Sequence, residues 1–273
     1  MNTTRALAAA AALSLLAACA VEVPTYSPEK VLAHLWVKNS ADYEALTRQV
    51  YGVATRDLDR FLADTSWSAM PGQTNAEDLP PDIILDVDET VINNVDFQVV
   101  FERPFTDRQL EMWDRAHEAK PVPGVVEFIK AAHEAGIATF FLTNRPCEKY
   151  PDEDDVCPQK QTVIDGIREL GIAVEPEFVS LALERPEWKG EKLIRRQLIA
   201  RDYRIIMLIG DDFSDFVPCA RKSVYAPCTQ GATRASRAAD VRKYEKYWGN
   251  GWYILPGPMH GLSLIHISEP TRL

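Results

Sequence analysis

Three short runs hold residues able to do chemistry together: "DVDET" at 86–90, "TN" at 143–144 and "GDD" at 210–212, with Asp215 just beyond. Asp86 and Asp88 stand one residue apart. Two anions that close repel unless a cation sits between them or each has a separate job. Hard oxygen donors without histidine suit magnesium, which uses one or two carboxylates and keeps several waters. A magnesium ion between Asp86 and Asp211 relieves the repulsion and attracts a phosphate oxygen. The ligand's remaining charge calls for a lysine. Lys192 is the choice, with Lys189 as the nearby alternative.

These groups need elements to hold them. An apolar run, Ile83–Val87, leads into the first cluster and reads as a buried strand; "IATFFLTN" and "RIIMLIGDD" do the same for the other two. "FVSLAL" and "SVYAP" read as further short strands. Helical spacing of apolar residues covers 40–63, with Asn39 or Ser40 as cap, and continues over 106–120, 125–135, 160–171 and 189–202. Strands alternating with helices of this length predict an α/β fold with a parallel sheet and right-handed crossovers. In such sheets ligands sit off the carboxyl ends of the strands, where the three clusters fall.

The formal charge is −10 over 273 residues, which disfavours a broad basic surface for nucleic acid. The first twenty residues contain one Arg, an apolar run and then Leu16-Ala17-Ala18-Cys19. That ending looks like a bacterial lipobox, with residues 1–18 a signal peptide, Cys19 the lipid attachment site and 19–34 a linker. The alternative is a plain secretory signal, and the run is too short for a spanning helix. At the other end, residues 262–273 contain "LSLIHISEPTR", which resembles a translated sequencing adapter, so the domain is taken as 35–261. Four cysteines remain in an exported chain. Cys147 with Cys157 and Cys219 with Cys228 would close two short loops, one of three possible connectivities. Among the aromatics, Trp113 is the candidate for stacking on a substrate, while Trp248, Trp252 and Tyr253 read as core.

The ordered set Asp86-Val87-Asp88-Glu89-Thr90, Thr143, Lys192 and Gly210-Asp211-Asp212 with Asp215 resembles the haloacid dehalogenase (HAD) superfamily of phosphatases. "WVKNSADYEAL", "ILDVDETVINN", "TNRPCE", "YRIIMLIGDDFSDF" and "WYILPGPMHG" bring it nearer to the class C (subfamily IIIB) acid phosphatases, the lipoprotein e group that includes 5′-nucleotidases. The resemblance implies a Rossmann-like core with strand order 3-2-1-4-5 along the chain, and a small helical cap part from 40–63 and 96–120. It implies Asp86 as nucleophile, forming an aspartyl-phosphate, and Asp88 as acid and then base. Thr143, Asn144 and Lys192 would bind the phosphoryl group. Mg²⁺ would be held by the Asp86 side chain, the Asp88 carbonyl and Asp211, with Asp215 orienting a metal-bound water. The implied protein is a lipid-anchored acid phosphatase of the cell envelope, at the outer membrane or periplasm. It would act on small phosphomonoesters, nucleoside monophosphates among them. A phosphotransferase or a non-catalytic binding lipoprotein are the alternatives. The chain departs from the family at Asn93-Asn94-Val95, and at Gly257-Pro258 with His260-Gly261, positions near the leaving group in the family.

Overall fold

The computed structural model describes residues 28–100, 105–116 and 120–258. Residues 1–18 read as a signal, Cys19, the adapter-like tail and His260-Gly261 lie outside the described residues. At the centre is β1 (Pro81–Leu85), whose Ile83, Ile84 and Leu85 are all buried. A strand covered on both faces needs apolar residues at successive positions, hence the unbroken run. It pairs in parallel with β4 (Ala138–Pro146) and β6 (Arg204–Gly210). Outside β4 lies β5 (Val179–Ala182), and outside β6 lies β7 (Trp252–Ile254), both parallel. The order β5-β4-β1-β6-β7 is the expected 3-2-1-4-5. A separate antiparallel pair joins β2 (Ile92–Asn93) to β3 (Lys120–Pro121).

The last sheet strand differs from expectation. It is Trp252–Ile254, whereas "SVYAP" at 223–227 is irregular and lies within the loop closed by Cys219 and Cys228. The apolar content of that run is too thin to bury: Val224 is 52 % exposed. Trp252 is fully buried, and its indole donates to the Ala69 carbonyl at 2.7 Å.

The first described helix, α1 (Pro28–Asn39), begins inside the stretch read as linker. The second, α2 (Ala41–Ala63), is capped by Ser40, whose hydroxyl accepts from the Asp42 N–H at 3.0 Å. Its buried stripe is Tyr43, Thr47, Tyr51, Ala54, Leu58 and Phe61, the spacing of one helical face. Next come α3 (Val95–Val100) and α4 (Asp107–Arg115), the latter starting at a Thr106/Gln109 capping box. The helix expected to reach 120 stops at Arg115, because Lys120 and Pro121 pair with β2 instead. Then follow α5 (Val125–Glu134), α6 (Pro158–Glu169) and α7 (Leu193–Ile199), the last shorter at both ends than the run at 189–202 suggested. An unanticipated α8 (Arg234–Lys243) buries no residue, so it shows no apolar periodicity to read. No helix among the described residues is long and apolar enough to cross a membrane.

Helices cover both faces of the sheet, and β1 feeds both cores by alternation. Ile83 and Leu85 join Tyr51, Phe61, Phe128 and Ile164 on one side; Ile84 joins Leu208, Phe216, Tyr247 and Trp252 on the other. Cys147 is bonded to Cys157 and Cys219 to Cys228.

One polar residue interrupts the central strand. Asp82 is fully buried, and neither carboxyl oxygen has a partner of good geometry among the described residues. Burial pushes its carboxyl well above the usual range, more than the nearby Ile83 and Phe140 N–H groups pull it down. In the unfolded chain it ionises near pH ~4, so above that pH the fold loses up to about 1.4 kcal/mol per unit until the raised value is passed. Asp82→Val, similar in size and suited to a strand, is expected to add about 1–3 kcal/mol at neutral pH. The gain should shrink in acid, where both states are protonated. Urea midpoints at the two pH values check this, and a pH-independent difference would refute it.

Candidate active site

The carboxyl ends of β1, β4 and β6 lie side by side, and each delivers one of the polar clusters. Asp86 follows β1 and is tied to β6 by its N–H, which donates to Ile209 O at 2.9 Å. The chain then turns back on itself: Glu89 takes a left-handed conformation (φ 56°), and the N–H groups of Val91 and Ile92 donate to Val87 O. After β6, Asp212 and Asp215 cap one short turn reciprocally. The Asp212 carboxylate accepts from Ser214 N–H at 2.8 Å, and Asp215 accepts from Asp212 N–H at 3.0 Å. Two glycines make room for this acidic turn. A Cβ on Gly210 would come within 2.6 Å of the Asp215 Cβ, and one on Gly257 within 2.6 Å of Asp211 Oδ2. The Gly257-Pro258 departure therefore sits on the Asp211 side of the site.

Lys192 stands at the N-cap of α7, 4 % exposed, and donates to both Asp86 Oδ1 and Asp215 Oδ1, the latter at 2.7 Å. Lys189 is on the surface. Oxygens of Asp86, Asp211 and Asp215 lie within 4.8 Å of one another. Burial pushes Asp86 up to about 7; Lys192 pulls it down while Asp215 and Asp88 push it up. Asp211 is raised well above the carboxylate range by burial, then by Asp86 and Asp215. Three crowded oxygen donors of this kind fit a divalent cation, which would take over the neutralisation that Lys192 provides only in part.

Asp88 is held apart from that cluster. Its Oδ1 accepts from Asn94 Nδ2 at 2.7 Å and from Arg145 Nη2 at 2.7 Å and Nε at 2.9 Å; its Oδ2 accepts from the Thr143 hydroxyl at 2.9 Å. Arg145 also donates to the buried carboxylate of Asp114 on α4. Burial pushes Asp114 up to about 6; Arg145 pulls it down, and Asp88 and Glu111 push it up. Glu89, beside them, is raised well above its usual range by burial and then by Asp88 and Asp86. The Asn94 departure thus contributes an amide to Asp88.

A cavity of about 460 Å³ opens over these groups. Among the described residues, Asp86, Asp88, Glu89, Asp107, Asp211, Asp212 and Asp215 line it, against Arg145, Lys192 and Arg221. A wall so acidic takes an anion only with added positive charge. Of the residues expected to bind phosphate, Lys192 and Asn144 line the cavity. The Asn144 side chain is engaged by Gly190 O and Arg195 Nη2. Thr143 is fully buried, does not line the cavity and bonds Asp88 instead. Trp113 does not line it either; its ring packs on Phe97 at 5.9 Å. Among the described residues the aromatic on the wall is Phe105, with Leu110 also lining it, because these lie nearer the start of α4 and its entry. Arg145 was given no role from the sequence, and Asn94 only a place in a departure near the leaving group. The only signal for Arg145 was a cation directly following a polar strand end.

The chain matches the family model described as HAD superfamily, subfamily IIIB (acid phosphatase), over residues 17–262. It also resembles two solved structures of the class C acid phosphatase from Bacillus anthracis, one of them with tungstate bound. Each is 25% identical, with 85% of either chain covered and a TM-score of 0.67. With the parallel sheet in the expected order and the acidic clusters at its carboxyl edge, the chain belongs to subfamily IIIB of the HAD superfamily and is an acid phosphatase.

Proposed function

We propose that this acid phosphatase hydrolyses small phosphate monoesters through an aspartyl-phosphate on Asp86, with Mg²⁺ as its metal. The separation of the two first-motif carboxylates carries the reading. Asp86 lies with Lys192 and the acidic turn, whereas Asp88 is bound by Arg145, Asn94 and Thr143. Asp86 attacks phosphorus in line. Asp88 gives a proton to the leaving oxygen, then takes one from the water that opens the intermediate. Lys192 balances charge on the phosphoryl oxygens. Asp86, Asp211 and the Asp88 carbonyl would hold the magnesium, with Asp215 beside them. When bound it supplies the positive charge that draws a phosphoryl dianion into an acidic cavity. Tungstate in the Bacillus anthracis relative is an oxyanion of phosphate's shape, which supports the same use here. Phe105 on the wall suits a flat leaving group such as a nucleoside. The lipobox at Leu16–Cys19 supports export and a lipid anchor on the cell envelope.

Release of p-nitrophenol from p-nitrophenyl phosphate tests the metal. Chelation is expected to reduce turnover to background and Mg²⁺ to restore it. Full activity in excess chelator would rule out this assignment.

A further inference from the structure

Arg145 joins two parts of the molecule that the chemistry would otherwise leave independent. It is 7 % exposed at the end of β4. One edge of its guanidinium, Nε with Nη2, lies on Asp88; the other, Nη1, lies on Asp114 in the last turn of α4. That same helix carries Asp107 and Leu110 of the cavity wall and follows Phe105. Its outer side is fastened by Arg115 Nη2 to Glu153 Oε2 at 2.7 Å and by Arg108 to Asp152 at 3.0 Å. Those two acids belong to the loop closed by Cys147 and Cys157, which begins two residues after Arg145. A chain of contacts therefore runs from the disulfide loop through α4 and Arg145 to the carboxylate of Asp88.

The fork also distinguishes the two oxygens of Asp88. Oδ1 takes three contacts, from Asn94 Nδ2 and from Nη2 and Nε of Arg145, all at 2.7–2.9 Å. Oδ2 takes the Thr143 hydroxyl and a longer Nε contact at 3.2 Å. Oδ2, held by one close donor and the more distant share of Nε, is the oxygen assigned to carry a proton to the substrate. A lysine cannot reproduce this, because it offers a point charge instead of a planar pair of donors.

We propose that Arg145 is a positioning residue for leaving-group departure. It sets the donor oxygen of Asp88 and, through Asp114, makes that setting depend on the docking of α4. The proposal rests on the reaction given above. As the bond from Asp86 to phosphorus forms and the ester P–O bond breaks, the proton on Asp88 moves to the departing oxygen. Substrates then differ in how much they need it. An alkyl alcohol leaves only with the proton, while p-nitrophenolate leaves readily as the anion.

The test compares glycerol 2-phosphate with p-nitrophenyl phosphate in Arg145→Met, Arg145→Lys and Asp114→Asn, using the full chain with Mg²⁺. For Arg145→Met, kcat on the glycerol ester should fall about a hundredfold, and that on the nitrophenyl ester by about tenfold at most. KM should stay within about threefold of wild type for both. Arg145→Lys should fall between, and Asp114→Asn, the milder change if Arg145→Met does not fold, should show the same selectivity at smaller size. In an Asp88→Asn background, Arg145→Met should add no more than about twofold. Equal losses on both esters, an effect confined to KM, or additive losses in the double variant would each overturn the proposal. An active Asp86→Asn variant would instead overturn the underlying reaction, so the two failures are told apart.

Discussion

Asp86→Asn is expected to fold normally and to lose turnover on p-nitrophenyl phosphate by about a thousandfold or more. The side chain keeps its shape but loses the anionic oxygen that would attack phosphorus. Its neighbourhood tolerates the change, because Lys192 retains Asp215 at 2.7 Å. Removing one of three carboxylates whose oxygens crowd within 4.8 Å also lessens repulsion. The thermal midpoint should therefore stay level or rise while kcat collapses. Activity within about tenfold of wild type would exclude covalent catalysis by this residue, since uncharged Asn cannot form the acyl phosphate.

Lys192→Met should be the most damaging single change to the fold near the site. The ammonium is the one cation bonded to both Asp86 and Asp215 among the described residues, and it is buried. Removing one partner of a buried ion pair leaves the other charge unpaired, at about 3–5 kcal/mol. Here two carboxylates lose their partner, with Asp211 already pushed upward by its acidic neighbours. Without the lysine, Asp86 and Asp211, both already raised by burial, escape the charge only by binding protons. The loss should therefore be largest at neutral pH and smaller in acid, the native state now holding protons that the unfolded chain has released. Mg²⁺ should recover part of the stability by binding the native cluster, but not the turnover. Urea unfolding of the metal-free variant across pH checks the first part and steady-state kinetics the second. A variant as stable as wild type at neutral pH would show that Lys192 does not neutralise this cluster.

Much of the framework was legible from local pattern. Continuous apolar runs leading to DVDET, TN and GDD located the three central strands, because a strand covered on both faces needs such runs. The ends differ: β1 stops at Leu85 instead of Val87, and β4 runs past Asn144 to Pro146. The cap was legible as one of two residues, Asn39 or Ser40, because the first N–H groups of a helix need an acceptor, and the structure uses Ser40. Other features had no local signal. Trp252–Ile254 is too short a run to outrank "SVYAP" until burial is known, and α8 has no apolar face. Trp113 was the candidate for stacking on a substrate, whereas the fold puts Phe105 on the cavity wall.

By itself, then, the sequence determined which residue types end the central strands, and with them the chemistry available at one edge of the sheet. That information is local, carried by side-chain period and by where each run stops. The tertiary structure alone decided which group meets which carboxylate. Lys192 reaches Asp86 across 106 residues, Arg145 reaches Asp88 across 57, and Asp114 completes the fork across 31. Such pairings depend on the crossing of packed strands and helices, a distance in space that no spacing along the chain encodes.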